Sequence, residues 1–164
     1  MATTKRAEPD ACSLLDADHR NVKKMFKEYE TLMESKARNT TQKKRELADQ
    51  ICMELTVHAQ IEEEIFYPGL RGASKSAADL LNEAEVEHAS AKDLIAQIKD
   101  GDENDEKFDA KVTVLGEYID HHVKEERNDI FPKARASKLD LVGMREQLAA
   151  RKEELMSEMS GVSA

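Results

Sequence analysis

Two short segments with the same pattern, His58-Ala-Gln-Ile-Glu62 and His122-Val-Lys-Glu-Glu126, decide the fold of this chain. In each segment a histidine precedes a glutamate by four residues, and an aromatic–proline step ends ten residues after the histidine. Residues four positions apart lie on one face of an α-helix, so an imidazole and a carboxylate at this spacing can bind one ion. Two such faces opposed in a helical bundle predict ligands for two metal ions.

Apolar residues recur at helical spacing in four stretches, and no stretch shows the sustained alternation of period two that a strand requires. The first stretch runs from about Ser13 to Lys36, and Ser13-x-x-Asp16 at its start resembles a capping box. The four apolar stripes contain, in chain order, Leu15, Val22, Phe26, Tyr29 and Met33; Leu47, Ile51, Leu55 and Ile65; Leu81, Ala84, Ala91, Ile95 and Ile98; and Phe108, Val112, Leu115, Ile119 and Ile130.

Four amphipathic helices with short connections predict an all-α fold, an up-down-up-down four-helix bundle with an additional C-terminal helix. We place the bundle at residues 13–136, after a flexible N-terminus at residues 1–12. The C-terminal helix falls within residues 137–160, where Leu141, Met144, Leu148, Leu155 and Met159 give it an apolar face. We expect this helix to pack on the bundle or on a partner.

Four histidines, one on each stripe, are predicted to lie near one level of the bundle. In an antiparallel helix pair, residues equally far from the connecting loop lie at the same height. His19 is 17 residues before Lys36 and His58 is 16 residues after Gln42, which is a mismatch of about 1.5 Å of helical rise. By the same measure His88 and His122 fall within about one turn of their neighbours.

A single histidine on an apolar stripe is most often a core residue with a hydrogen-bond partner. Glu62 and Glu126 are harder to accommodate, because a carboxylate removed from water costs several kcal/mol unless it is paired. Two carboxylates and four imidazoles at one level lack an adequate counter-charge, and bound metal would supply it. The candidate ligands are therefore His19, His58, Glu62, His88, His122 and Glu126.

The ligand types limit the metal. Imidazole and carboxylate without thiolate suit iron, manganese or zinc, whereas calcium and magnesium prefer oxygen ligands alone. Six candidates are too many for one tetrahedral zinc and fit two ions of higher coordination number. Glu62 and Glu126, on opposite helices, are placed to bridge the two ions. Four neutral imidazoles and two carboxylates leave open positions for a ligand such as dioxygen, which favours redox-active iron.

At these residues the chain resembles the hemerythrin-like family, the HHE cation-binding domain. The resemblance extends over most of the chain and is strongest at Leu14–His19, Val57–Pro68, Glu85–His88, His121–Glu126 and Ile130–Pro132. It implies a four-helix bundle that holds two non-heme iron ions, joined by carboxylates and by an oxo or hydroxo bridge. Carried over by position, the iron ligands are the six candidate residues.

The chain departs from the family pattern in one respect. Oxygen-carrying hemerythrins use five histidines and two carboxylates, whereas here four histidines fall on the core-facing lines. His121 lies about 100° around the helix from His122, on the line of Val114 and Tyr118, and we expect it outside the ligand set or on the surface. The smaller ligand set leaves room for a more open and reactive site.

Three functions are compatible with such a centre. The first is a protein that binds dioxygen or nitric oxide for sensing, carriage or buffering. The alternative is a diiron enzyme that removes peroxide or nitric oxide, for which Tyr29, Tyr67 and Tyr118 are candidate proton donors. Iron storage or delivery ranks last, because one dinuclear site provides no cavity for mineral.

Composition limits the partners. The net charge of −9 argues against nucleic acid and against an anionic membrane surface. No apolar run approaches the roughly 18 residues of a membrane span, and Met1–Arg6 lack the apolar stretch of a signal peptide. Cys12 and Cys52 have no disulfide or metal-binding spacing. We therefore expect a cytoplasmic monomer or homodimer that meets a small diatomic ligand or peroxide and an unidentified redox or signalling partner.

Overall fold

The computed structural model describes residues 8–160, and within that range the chain is helical apart from short connections, with no strand. A π-helical turn at Glu62–Phe66 joins α2 to α3, and a second at Glu126–Ile130 joins α5 to α6. The all-α prediction is confirmed. Within residues 8–160 there are seven α-helices: α1 (Ala11–Glu34), α2 (Thr40–Ile61), α3 (Tyr67–Ala73), α4 (Ala78–Asp100), α5 (Phe108–Glu125), α6 (Phe131–Ala136) and α7 (Leu141–Met159).

Four long helices form a bundle. Helix α1 packs against α2, α2 against α4, α4 against α5, and α5 against α1, which closes the ring. Helix α7 packs against α1 and α2, and it buries Leu141, Met144, Leu148 and Leu155. These contacts are those of a helical bundle with one helix added to a side.

The start of α1 differs from the capping box predicted at Ser13 and Asp16. Asp10 is the N-cap: its Oδ1 accepts a hydrogen bond from the backbone N–H of Ser13 at 2.9 Å, and the Ser13 Oγ accepts one from the Asp10 N–H at 3.3 Å. An aspartate is among the best N-cap residues, and here it extends the helix back to Ala11. Ala11 and Cys12 are therefore helical and buried, although the sequence pattern placed them in the N-terminal segment. Residues 1–7 of that segment lie outside the described residues.

Two apolar clusters fill the two ends of the bundle. The cluster beside α7 includes Leu15, Phe66, Leu81, Ile130 and Leu148. The cluster at the opposite end, where α1 connects to α2 and α4 to α5, includes Val22, Ile51, Ile98, Phe108 and Leu115. The buried polar residues of the bundle lie between these two clusters along each helix.

The π-helical turns change which residues face the core. Ile65, predicted to continue the second stripe, is only partly buried, while Phe66 and Tyr67 are buried. A π-helical turn contains one more residue than an α-helical turn, so it shifts the buried face by one position. Met33, predicted to end the first stripe, is 40% exposed because it lies at the last turn of α1.

Among residues 8–160, none of the helices combines the length and the apolar character needed to cross a membrane.

Candidate metal centre

The six predicted ligand residues meet in one buried layer. Each of the four long helices contributes one histidine, and each π-helical turn contributes its first residue, a glutamate. None of the six is more than 7% exposed. They are His19 on α1, His58 on α2, His88 on α4, His122 on α5, Glu62 and Glu126.

The donor atoms of these residues form two overlapping groups. One group, position A, comprises His19, His58, Glu62 and Glu126; the other, position B, comprises His88, His122 and the same two glutamates. Within each group the donor atoms all lie within 4.8 Å of one another. Because both glutamates belong to both groups, the arrangement is that of two adjacent donor groups, each able to hold a cation, that share two carboxylates.

Short distances between ring nitrogens define the two positions. The Nε2 atoms of His19 and His58 lie 3.0 Å apart at position A, and those of His88 and His122 lie 3.2 Å apart at position B. Glu62 Oε1 lies between the positions, 3.1 Å from His58 Nε2 and 3.2 Å from His88 Nε2. The four histidines thus direct Nε2 towards the two glutamates.

Glu126 completes the layer from the opposite helix. Its Oε1 contacts His122 Nε2 and lies 3.8 Å from His19 Nε2, so one carboxylate reaches a histidine of each position. Both glutamates begin a π-helical turn, a feature that often occurs at functional sites.

Two of the histidines are each oriented by a carboxylate that lies outside the ligand layer. His58 Nδ1 lies 3.0 Å from Asp18 Oδ2, and His122 Nδ1 lies 3.0 Å from Glu87 Oε1. A ring that donates its Nδ1–H to a carboxylate keeps the Nε2 lone pair for a metal. These two bonds therefore support the ligand role of His58 and His122.

The other two histidines face carboxylates at longer range. His88 Nδ1 lies 3.5 Å from Glu63 Oε2, and His19 Nδ1 lies 3.9 Å from Asp16 Oδ1. Neither Nδ1 atom has a hydrogen-bond partner among the described residues. The rings of His19 and His88 are therefore held less tightly than those of His58 and His122.

Burial and mutual contact shift the pKa values of the glutamates in opposite directions. Burial and the nearby charge of Glu62 together raise the pKa of Glu126 to about 7, against the opposing effect of His122. Burial also acts to raise the pKa of Glu62, but the histidines around that carboxylate, His58 first, hold its pKa well below the usual range.

The pKa values of the histidines are also shifted in opposite directions. Burial and the nearby charge of His58 together lower the pKa of His19 to about 3. Burial also acts to lower the pKa of His58, but Glu62 and Asp18 raise it to about 10. Likewise the pKa of His122 rises to about 12 because Glu126 outweighs burial. At neutral pH the metal-free layer therefore balances its carboxylates with protons on His58 and His122.

Several buried donor atoms have no hydrogen-bond partner. Among the described residues these include the Oε2 atoms of Glu62 and Glu126. A buried polar group left unsatisfied costs about 1–3 kcal/mol, and more when it is charged. Cations bound between the two glutamates would satisfy these oxygens, and the imidazole–carboxylate donor set is suited to iron, manganese or zinc. The residues present therefore fit a dinuclear metal centre.

Tyr67 is the tyrosine that lies at the centre. Its hydroxyl is 3.3 Å from the Nε2 atoms of His88 and His122 and donates to Glu126 Oε1 at 3.4 Å. Tyr29 instead donates to an aspartate elsewhere, and Tyr118 is 47% exposed. Of the three tyrosines in the sequence, Tyr67 alone is placed to act at the centre, on the side of position B.

His121 lies outside the central layer. Its side chain is 67% exposed, and its Nε2 lies 2.9 Å from Glu125 Oε1 and 3.4 Å from Glu87 Oε2. It contacts the carboxylate that orients His122, but it belongs to neither donor group of the centre and instead forms a separate group with Glu87 and Glu125.

A small cavity of about 30 Å³ adjoins the centre on the side of the apolar cluster that contains Val22 and Ile95. The four histidines form one wall, and the opposite wall is apolar, with Val22, Leu55, Ala91, Ile95 and Ile119 among its residues. This volume is comparable to that of one water molecule in the liquid. The cavity could therefore hold a diatomic molecule next to the histidines.

Sequence reasoning missed the carboxylates that orient the histidines. Asp18 precedes His19, Glu87 precedes His88, and Glu63 follows Glu62, so an acidic neighbour of a ligand was the available signal. Each of these acids, however, faces the histidine of a different helix. Which histidine an acid serves depends on helix packing and cannot be derived from its position in the chain.

Known proteins resemble this chain in sequence and in fold. The family model described as "Hemerythrin HHE cation binding domain" matches residues 10–134. A "DNA nickase" from Nostoc sp. is 33% identical over 114 residues, which are 70% of this chain and 30% of that protein. The chain thus spans less than a third of the length of this relative. A crystal structure of a hemerythrin HHE cation binding domain-containing protein from Mycobacterium kansasii matches with a TM-score of 0.74 and 20% identity over 94% of both chains. That likeness shows a shared fold.

Proposed function

The chain belongs to the hemerythrin HHE cation-binding domain family, and we propose that it is a non-heme diiron protein that binds dioxygen or nitric oxide for sensing, carriage or buffering. The observation that carries this proposal is the pair of overlapping donor groups that share Glu62 and Glu126. A single metal ion would leave one pair of histidines facing buried carboxylates without a cation. Two ions use all six residues.

Each residue has a defined part in the proposed centre. His19 and His58 would hold the ion at position A, His88 and His122 the ion at position B, and the two glutamates would bridge them. Iron would supply a redox-active ion with an open coordination position for a diatomic ligand. We also propose the up-down-up-down order of the four long helices, because it places one histidine from each helix in the same layer.

The cavity beside the histidines supports the binding of a small neutral ligand. Its wall opposite the histidines is apolar, so it can accept dioxygen or nitric oxide without leaving a polar group unsatisfied. The charged side chains at its border, Asp18 and Lys92, are already paired with Lys152 and Glu63 respectively. None of these features supplies an acid for turnover, which favours binding over catalysis on this side.

Tyr67 favours the alternative, an enzyme that removes peroxide or nitric oxide. Its hydroxyl lies on the other side of the layer, within 3.3 Å of both histidines of position B. Burial and the two glutamates of the centre raise the pKa of Tyr67 well above its usual value, so the group keeps its proton at neutral pH. A protonated hydroxyl at this place could donate a proton to a bound substrate. Iron storage or delivery remains the second alternative and has no such support.

We further propose that the protein works in the cytoplasm, as a monomer or homodimer, with a separate redox or signalling partner. Both cysteines, Cys12 and Cys52, are buried as free thiols, and free thiols are typical of reducing compartments. The net charge of −9 gives no support to a nucleic-acid partner. For this reason the DNA-nicking activity named for the longer Nostoc protein does not extend to our proposal.

Metal analysis tests the centre directly. Protein purified with iron available should contain about two iron ions per chain, and its visible spectrum should change reversibly on reduction and on exposure to dioxygen or nitric oxide. Glu62→Gln should lose at least one ion. Glu64→Gln is the matched control, because Glu64 follows two residues later but is exposed and pairs with Arg151. Fewer than one ion per chain, with a thermal midpoint unchanged by chelators, would contradict the proposal.

Peroxide turnover separates binding from catalysis. A binding protein should show a spectral change with dioxygen or nitric oxide but no sustained consumption of peroxide. An enzyme should consume peroxide, and Tyr67→Phe should then slow turnover while the iron content stays at the wild-type level. Tyr118→Phe, which alters an exposed tyrosine, is the control for both measurements.

A further inference from the structure

We propose that helix α7 is a functional part of the metal centre, and that its Lys152 is a positioning residue that orients His58 through Asp18 and so strengthens metal binding at position A. This inference rests on the proposed dinuclear centre. It goes further, because α7 (Leu141–Met159) begins after residue 134, where the match to the family ends.

A continuous chain of contacts connects α7 to the centre. Lys152 Nζ donates to Asp18 Oδ1 at 2.5 Å, and the other oxygen of the same carboxylate, Oδ2, lies 3.0 Å from His58 Nδ1. His58 Nε2 in turn lies 3.1 Å from Glu62 Oε1. The two oxygens of Asp18 therefore have different partners, one cation on α7 and one ligand histidine on α2.

The charge of Lys152 matters because Asp18 is buried. The Asp18 side chain is only 9% exposed, and a buried carboxylate without a cation is costly and tends to take up a proton or turn towards water. Lys152 provides the cation and holds one oxygen in place. The remaining oxygen is thereby fixed towards His58 Nδ1, which sets the ring orientation and directs the Nε2 lone pair to the metal.

Other contacts hold α7 where Lys152 can act. Arg151, the preceding residue, pairs with Glu64 at 2.8 Å, and Glu64 belongs to the π-helical turn that begins with the bridging Glu62. Leu148 and Leu155, about one turn on either side, are buried in the apolar cluster beside α7. Helix α7 is therefore fixed against both the turn that bears Glu62 and the helix that bears Asp18.

Among the described residues, no cation from α7 pairs with the carboxylates that face the histidines of position B. Its histidines face Glu63 and Glu87, whose side chains are 30% and 26% exposed. The cation on Glu63 is Lys92 from the bundle itself, and Glu63 is 3.5 Å from His88, too far for a good hydrogen bond. Loss of the cation on α7 should therefore weaken one of the two metal positions and leave the other unchanged.

Titration of the metal-free protein with Co(II) under anaerobic conditions tests this asymmetry. Wild-type protein should bind two Co(II) ions, and the visible absorption bands of the metal report this binding. In Lys152→Met, one of the two dissociation constants should rise by about 10–100-fold, the usual effect of losing an outer partner of a metal-binding histidine. The other constant should stay within about twofold of the wild-type value. Lys152→Arg, which keeps the charge, should restore binding.

Two variants distinguish orientation of His58 from a general loosening of the protein. Arg151→Met removes the neighbouring ion pair of α7 without touching Asp18. Both constants should match those of the wild type, because the buried Leu148 and Leu155 still hold α7 in place. Lys92→Met alters the cation on the side of position B, and it should leave the constant that responds to Lys152→Met unchanged.

The results separate the two proposals. Two normal constants in Lys152→Met, or an equal weakening of both, would overturn the role of Lys152, and so would an effect of the same size in Arg151→Met. If wild-type protein bound no Co(II) and no iron, the proposed centre itself would be wrong. That result is seen before any variant is compared.

Discussion

Metal loading should release at least two protons per chain near pH 7.5. In the metal-free layer, burial acts to lower the pKa of His58, but Glu62 and Asp18 raise it to about 10. By the same competition, Glu126 raises the pKa of His122 to about 12. Both rings are therefore protonated at pH 7.5, and each must give up a proton before its nitrogen can bind metal.

The free-energy cost follows from these pKa values. Removing the proton from His58 at pH 7.5 costs about 3 kcal/mol, since each unit between the pH and the pKa is worth about 1.4 kcal/mol. The apparent affinity for the metal pair should thus rise about tenfold per pH unit for each proton released. Below pH 7 the number of protons should increase, because Glu126, with a pKa of about 7, then also enters the reaction protonated.

Calorimetry measures the proton count directly. Zn(II) is added to metal-free protein at pH 7.5 in two buffers with different enthalpies of ionisation, and the difference in heat gives the protons released. His121→Gln is the control, because His121 is 67% exposed and is not among the central donors. It should give the wild-type count. Release of fewer than one proton in the wild type would refute the charge balance inferred for the layer.

Three further outcomes are expected. His122→Gln should lower the metal content to at most one ion per chain by elemental analysis, whereas His121→Gln should retain two. Phe66→Ala should lower the free energy of unfolding by about 3–5 kcal/mol in urea titrations, because Phe66 is fully buried in the π-helical turn. As a control, Val86→Ala, at a site 67% exposed, should change the free energy of unfolding by no more than about 0.5 kcal/mol. The free energy of unfolding of the metal-free protein should fall as pH rises from 6.5 to 10. Because the pKa of His58 is raised to about 10 in the folded state, protonated His58 stabilises that state fully below pH 6.5, and this contribution disappears as the pH approaches 10. Urea titrations at pH 6.5 and 9.5 measure the loss.

The helical fold and the meeting of the six candidate residues in one layer could be predicted because both depend on spacing along single helices. A residue four positions from another lies on the same face whatever the rest of the chain does. His58 and Glu62 could thus be paired from their spacing alone. The common level of the four histidines followed from counting residues to the nearest loops, a count that tolerates an error of one turn.

Features that depend on competition between local alternatives could not be predicted in the same way. The pattern at Ser13 and Asp16 resembles a cap, but Asp10 offers a better one and starts the helix earlier. Ile65 matched the α-helical stripe, yet the π-helical turn places Phe66 in the core instead. A sequence pattern assumes a constant number of residues per turn, and it fails where the helix widens.

The contacts outside the ligand layer depend on how separate helices meet. Asp18 lies next to His19 in the chain, but it orients His58 on another helix and takes its cation, Lys152, from a third. No spacing rule connects residues 40 and 134 positions apart in this way.

The position of the metal layer couples metal binding to the stability of the whole bundle. The layer separates the apolar cluster beside α7 from the cluster at the opposite end. Helices α1, α2 and α4 contribute to both clusters, and α5 reaches the cluster beside α7 through the π-helical turn and α6 that continue it. Without metal, the repulsion between Glu62 and Glu126 is offset by protons, which are lost as pH rises. With metal, the same carboxylates become ligands and the protons are released. Any ion bound only by the folded layer must therefore stabilise both ends of the bundle together, by an amount that grows with metal concentration and with pH.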